Sequence, residues 1–189
     1  MVKEPQAGRV KTRLGRDIGM VTSAWWFRHQ VKRLLRKIDD PRWDLILAVS
    51  PDIEGLESRV WPAHIPRIAQ GDGDLGDRMK RIFQTAPNGP VVIIGTDIPK
   101  ISKRHIADAF AALGRSDIAL GPSPDGGFWL IGMTRFRAVA PQLFAKVRWS
   151  SEHTLNDTIK TLSGKRITYL ETLDDIDTLD DLLALTQQG

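Results

Sequence analysis

Three cations and three carboxylates in this 189-residue sequence stand where chemistry could use them. Arg9, Lys11 and Arg13 crowd into AGRVKTRLG at residues 7–15, between Gly8 and Gly15. Asp97 stands in GTDIP, Asp125 in GPSPDGG and Asp177 in DDIDT. Lysine and arginine on a short glycine-bounded segment suit the oxygens of a phosphate chain, which accept charge-assisted hydrogen bonds. Carboxylates converging from separate loops suit a hard divalent cation that keeps part of its water and bridges to phosphate oxygens. Singly, each has an ordinary alternative. Asp97 could cap a helix, although Ser102 is better placed for that, and Asp125 could simply form the turn PDGG. One of Asp174 to Asp177 could serve the N-terminus of the last helix.

The charge pattern agrees with this pairing of phosphate and metal. From Met1 to Arg42 the chain carries eleven Lys or Arg against four acids, whereas Glu171, Asp174, Asp175, Asp177, Asp180 and Asp181 follow one another with no base between them. Folding that brings a basic beginning to an acidic end can surround an anion and a cation together.

The elements that must position these residues alternate. Apolar residues at helical spacing predict helices over Asp17–Ile38 (stopped by Pro41), Leu75 to about Ala86, the segment carrying Ile106, Ala109, Phe110 and Leu113, Ser151–Leu162 and Leu179–Leu185. Between them WDLILAVS, VVIIG, DIALGPS, GGFWLIGM and RITYLETL read as strands. VVIIG, apolar throughout, fits a central parallel strand covered on both faces. The alternation predicts an α/β fold with a largely parallel sheet, whose ligands bind at the carboxyl ends of the strands. VVIIG delivers the chain directly to Asp97 at that rim.

Other classes are less well served. With 41% hydrophobic residues the chain can bury one sizeable core, so a single domain over residues 1–189 is expected. No cysteine is present, which excludes thiol catalysis and disulfides. No apolar run approaches the roughly 20 residues of a membrane span and no signal-peptide pattern opens the chain, so a cytoplasmic protein that binds no membrane is expected. GDGDLG at 71–76 matches the dinucleotide fingerprint G-x-G-x-x-G, but Asp72 and Asp74 put anions where a pyrophosphate would sit, and Pro62 and Pro66 interrupt the strand that should precede it. No P-loop and no G-x-S-x-G elbow occurs, and His29, His64, His105 and His153 lack zinc-ligand spacing. Arg28, Lys32, Arg33, Arg36 and Lys37 with Trp25, Trp26 and Phe27 would suit a nucleic-acid-binding helix. Helical spacing assigns much of that aromatic group to a core stripe, however, and no nucleic-acid partner is expected.

KEPQAGRVKTRLG, QGDGDLGDRMKRIF, IGTDIPKIS, ALGPSPDGGFWLIG, VRWSSEHTLNDT and LDDIDTLDDL, in this order, resemble the successive motifs of a bacterial family of glycosyltransferase-A-fold transferases, often labelled radical-SAM/selenodomain-associated. The chain is similar more distantly to molybdenum cofactor guanylyltransferase and phospholactate guanylyltransferase, within the nucleotide-diphospho-sugar transferase superfamily. The resemblance implies a three-layer α/β/α sandwich and a metal-dependent transferase acting with a nucleoside triphosphate or nucleotide sugar, a small-molecule acceptor and Mg²⁺ or Mn²⁺. It implies that Gly8, Lys11, Thr12 and Arg13 cover the nucleotide phosphates, that Asp97 and Asp177 hold the metal, and that Asp125 holds acceptor or donor sugar. Lys11, Arg13, Asp97 and Asp125 then form the catalytic set, and the stretch containing Gln70, Gly76 and Arg78 contacts base or ribose. Where the family opens with an apolar strand, only Met1 and Val2 precede Lys3 here, so the first strand is expected to be largely missing.

Overall fold

Strands and helices alternate as the hydrophobic pattern requires in the computed structural model, which describes residues 1–136 and 138–187. In chain order they are β1 (Val2–Lys3), α1 (Thr12–Ile18), α2 (Met20–Ile38), β2 (Leu47–Ser50), α3 (Asp52–Glu57), β3 (Arg67–Ala69) and α4 (Leu75–Thr85). There follow β4 (Gly89–Ile94), α5 (Lys103–Leu113), β5 (Ile118–Pro122), β6 (Phe128–Arg135), α6 (Thr154–Thr161), β7 (Ile167–Tyr169) and α7 (Leu179–Gln187). The backbone packs as two compact units. One contains Met1–Ala69, Thr96–Ile101 and the residues from Asp175 on, the other Gln70–Gly95 and Ser102–Asp174.

In the first unit β1, β2 and β3 form a parallel sheet in that order, with Val2 opposite Val49 and Ala48 opposite Ile68. Parallel neighbours need crossovers, which α1 with α2 and then α3 provide. Leu47, Ala48 and Val49 are all buried, the pattern of a strand covered on both faces. Ala24, Phe27, Val31 and Leu35 line one stripe of α2 and pack with Val2, Val49, Trp61 and Ile65. Each large side chain so buried contributes about 1.5–3 kcal/mol. As expected, the first strand is short: β1 has two residues.

Three expectations are corrected in this unit. The helix over Asp17–Ile38 is two helices, because the chain turns at Gly19 with φ 90°, a conformation open to glycine, and α1 already begins at Thr12. Trp25 lies one position off the buried stripe and is 60% exposed, while Phe27 fills the core. WDLILAVS contributes only its second half to β2, since the Trp43 indole N–H donates to the Ile38 carbonyl at 3.0 Å and holds the start of that stretch to the end of α2.

The second unit holds a four-stranded sheet in the order β4-β6-β5-β7. β7 runs parallel to β5, and β6 pairs antiparallel with both β4 and β5, so β6 alone is reversed among its strands. VVIIG therefore has the reversed strand β6 as its neighbour in this sheet. It lies at the end of the order, and of its four apolar residues only Ile93 is buried, the others being half-buried. The expectation of a central strand with parallel neighbours and two covered faces fails in this sheet because apolar content does not encode strand direction. Ile118, Ala119, Leu120, Leu130 and Ile131 are fully buried beside Trp129. The Trp129 ring lies so close over Gly121 that a Cβ there would come within 2.4 Å of it. The fold class is α/β, as the sequence implies, with a parallel sheet in the first unit and a mixed one in the second.

Candidate metal and phosphate site

The site is built inside the first unit from three stretches far apart in sequence. Val10 is buried, and Lys11 follows it in the left-handed region with φ 45° and ψ 47°, as the residue just before α1. Its carbonyl accepts the Gly15 N–H at 2.8 Å. A non-glycine residue pays a cost on the order of 1 kcal/mol for this backbone geometry, which here turns the Lys11 side chain inward. That side chain is only 5% exposed. Its Nζ donates to Asp97 Oδ2 at 3.0 Å and to Asp177 Oδ1 at 2.7 Å. Arg13, one residue into α1 and 70% exposed, donates from Nη1 to Asp177 Oδ2 at 3.2 Å. Burial disfavours the Lys11 ammonium, but Asp97 and Asp177 outweigh it and raise its pKa above the ordinary lysine value.

Asp97 is fixed by its neighbours. Ile98 and Ile101 are buried, and the Ile101 N–H closes a turn on the Ile98 carbonyl at 3.3 Å. Asp175 and Asp177 flank Ile176, which is 5% exposed. The carboxylates of Asp175 and Asp177 nonetheless come together with that of Asp97, while the side chain between them is buried. Asp181 then sets the approach to α7. Its Oδ2 accepts the Asp177 N–H at 3.0 Å, the Thr178 N–H at 2.8 Å and the Thr178 hydroxyl at 2.7 Å. Burial opposes ionisation of Asp181, yet these donors outweigh it and its pKa is lowered.

Asp97, Asp175 and Asp177 each offer a carboxylate oxygen, and these oxygens lie within 4.8 Å of one another. Opposite ligands of an octahedral Mg²⁺ are about 4.2 Å apart, and Mg²⁺ and Mn²⁺ both take hard oxygen donors. The donor set fits such an ion in chemistry and in scale.

Of the residues expected at the site, the structure brings together Lys11, Arg13, Asp97 and Asp177. Thr12 is the first residue of α1 and is exposed, and Gly8 has φ 77° with open space around it. Asp175 was not among the expected ligands. Its signal was the alternation Asp-Ile-Asp, which marks a shared side once Ile176 is taken as core. Lys11, expected on the nucleotide phosphates, here donates its ammonium to two carboxylates.

Asp125, Gln70, Gly76 and Arg78 belong to the second unit. Asp125 Oδ1 accepts the Gly127 N–H at 2.9 Å, the turn-forming alternative. Gln70 is buried and its carbonyl accepts from Arg81, while Arg78 Nε donates to the Gly73 carbonyl at 3.1 Å. Gly76 is buried where a Cβ would come within 2.6 Å of the Trp149 ring. The dinucleotide alternative loses its ligand position. The Asp77 N–H donates to Asp74 Oδ1 at 2.9 Å and the Asp74 N–H to Asp77 Oδ2 at 3.1 Å, so two carboxylates cap the helix that would have faced a pyrophosphate. Among the described residues, no histidine joins a metal-ligating cluster.

The sequence profile of DUF2064, a family described as uncharacterized proteins conserved in bacteria, matches residues 34–151. The chain belongs to this family. The matched span includes Asp97 and Asp125 but neither Lys11 nor Asp177. A solved structure from Desulfovibrio desulfuricans G20, provisionally named a nucleotide-diphospho-sugar transferase, is 32% identical with a TM-score of 0.88, over 99% of this chain and 84% of that one. A homologue of Mycobacterium tuberculosis rv0371c from Mycobacterium sp. strain JC1 is 16% identical with a TM-score of 0.55, over 84% of this chain and 82% of that one, and shares the fold. No curated protein matches the sequence. The DUF2064 chain thus has a nucleotide-diphospho-sugar transferase-like fold, and among its described residues no helix is long and apolar enough to cross a membrane.

Proposed function

We propose that this DUF2064 chain is a transferase that uses a nucleoside triphosphate or a nucleotide sugar with Mg²⁺ or Mn²⁺ and passes a group to a small-molecule acceptor. The observation that carries the reading is the convergence of Asp97, Asp175 and Asp177 with Lys11 and Arg13. Asp97, Asp175 and Asp177 would hold the divalent ion, which when bound supplies positive charge to phosphate oxygens. Arg13, exposed and held by one 3.2 Å contact, is free to turn to a phosphate and neutralise the departing group. Gly8 and Thr12 offer backbone and hydroxyl donors beside it. Gln70 and Arg78 remain the proposed base or ribose contacts, and Asp125 the proposed holder of acceptor or donor sugar. A cytoplasmic location is part of this proposal.

Two bond exchanges suit this site. In nucleotidyl transfer the acceptor attacks the α-phosphorus and pyrophosphate leaves. In glycosyl transfer an acceptor hydroxyl attacks the sugar carbon, loses its proton, and a nucleoside diphosphate leaves. A thermal-shift screen of nucleoside triphosphates and nucleotide sugars, with and without Mg²⁺ or Mn²⁺, tests the reading, because a ligand that binds the native state raises Tm with concentration. Hits are then assayed for released pyrophosphate or nucleoside diphosphate. A metal-dependent shift with either class supports the proposal. No shift with any nucleotide at millimolar concentration overturns it.

A further inference from the structure

We infer that the Lys11 ammonium is the resident cation of the carboxylate cluster and that a divalent ion enters by exchange with it, which makes metal uptake depend on where the Lys11 side chain goes. This rests on the reading of Asp97, Asp175 and Asp177 as metal ligands. Both oxygens of Asp177 are engaged, Oδ1 by Lys11 at 2.7 Å and Oδ2 by Arg13 at 3.2 Å. Oδ2 of Asp97 is engaged by the same ammonium at 3.0 Å. An ion bound by Asp97 and Asp177 together must come between them at about 2.1 Å from each oxygen. The ammonium already lies between them, and two cations cannot share that volume.

Arg13 is not the obstacle, being 70% exposed and touching only the outer oxygen of Asp177. Lys11, 5% exposed, has no water to retreat into without leaving the cluster. Its backbone is fixed at the start of α1, but its four-carbon stem lets the ammonium swing outward. An anion beside α1 would receive it. A nucleotide phosphate therefore favours the exchange, and by linkage a metal favours the nucleotide to the same degree. Metal alone must displace the ammonium without that anion to receive it, which weakens its binding.

Two measurements on the full chain test this. Mn²⁺ binding without nucleotide, read by electron paramagnetic resonance, should be at least tenfold tighter in Lys11→Gln than in wild type, and added nucleoside triphosphate should tighten Mn²⁺ far more in wild type than in the variant. In the wild type alone, amine labelling read by mass spectrometry should find Lys11 shielded without metal and labelled once Mn²⁺ is bound. This second readout stands even where Lys11→Gln folds poorly. Equal Mn²⁺ affinities with Lys11 still shielded in the metal-bound protein overturn the exchange and leave the metal site standing. If neither protein binds Mn²⁺ at millimolar concentration, with or without nucleotide, the metal site itself falls and the exchange with it.

Discussion

The backbone N–H of Ile176 donates to the carbonyl of Asp97 at 3.2 Å. This bond joins the turn after GTDIP to the acidic segment before α7, and it does so at the residue between Asp175 and Asp177. Ile176 is buried, so the segment is held by its backbone on one side and its apolar side chain on another. What remains for the two aspartates is the direction of Asp97.

Replacement of Asp97, Asp175 or Asp177 by Asn keeps side-chain size and removes a charge that a hard cation needs. Each variant should lose about tenfold or more in Mn²⁺ affinity, with secondary structure unchanged by circular dichroism. Asp125→Asn should leave Mn²⁺ affinity as it is. Retained affinity in Asp175→Asn would reduce the cluster to two carboxylates.

Asp97 and Asp177 were legible in the sequence because each follows or precedes an element with a strong pattern, one an apolar strand and the other an amphipathic helix. Asp175 was hidden in a run of acids, where composition gives no means to tell a ligand from a solvated charge. Lys11 was recognised by type but not by partner, since its inward turn depends on a left-handed backbone that no local rule assigns to lysine. The longer elements followed from periodicity, whereas the short α3, the strand β3 that forms at Arg67–Ala69 just past Pro62 and Pro66, the reversal of β6 and the break at Gly19 did not. Strand direction leaves no trace in hydropathy, and a single glycine inside a helical pattern is usually tolerated.

Arg13→Ala should weaken nucleoside triphosphate binding by about 1.5–3 kcal/mol, roughly ten- to a hundredfold, the usual value of a hydrogen bond to a charged group. The loss should be smaller for a monophosphate, because an exposed guanidinium beside Asp177 would serve the outer phosphates. Titration calorimetry with the mono-, di- and triphosphate decides it. Equal losses for all three would remove Arg13 from the outer phosphates.

Gly76→Ala should act through packing. The new methyl group would come within 2.6 Å of the Trp149 ring and 2.8 Å of Phe144 Cβ, in a cluster where Phe144 stands 5.9 Å from Trp149 and 6.5 Å from Phe83. Overpacking of this kind costs about 1–3 kcal/mol. Urea unfolding should show that loss. A variant of wild-type stability that has lost nucleotide affinity would instead restore Gly76 as a ligand contact.

Asp157 in α6 should govern part of the acid response. Arg148 donates to it from Nε at 2.7 Å and from Nη2 at 3.0 Å, and Lys160 donates at 3.0 Å. The ion pair steadies a loop in which Phe144, Lys146 and Ser150 all have positive φ, at 63°, 60° and 55°, a costly geometry for residues with side chains. Arg148 first and Lys160 second hold the Asp157 carboxyl well below its ordinary value of 3.8. In the unfolded chain the same carboxyl takes up its proton near that ordinary value, so at lower pH the unfolded state binds more protons and the native state loses stability. The contribution is complete above about pH 5 and is lost progressively as pH falls toward the depressed native value. Asp157→Asn removes both the stabilisation and its pH dependence. Calorimetry from pH 7 down to pH 3 should find the variant melting below wild type at neutral pH, with the gap closing in acid. A gap of constant size over that range would mean that Asp157 contributes by shape and hydrogen bonding, with no share from its charge.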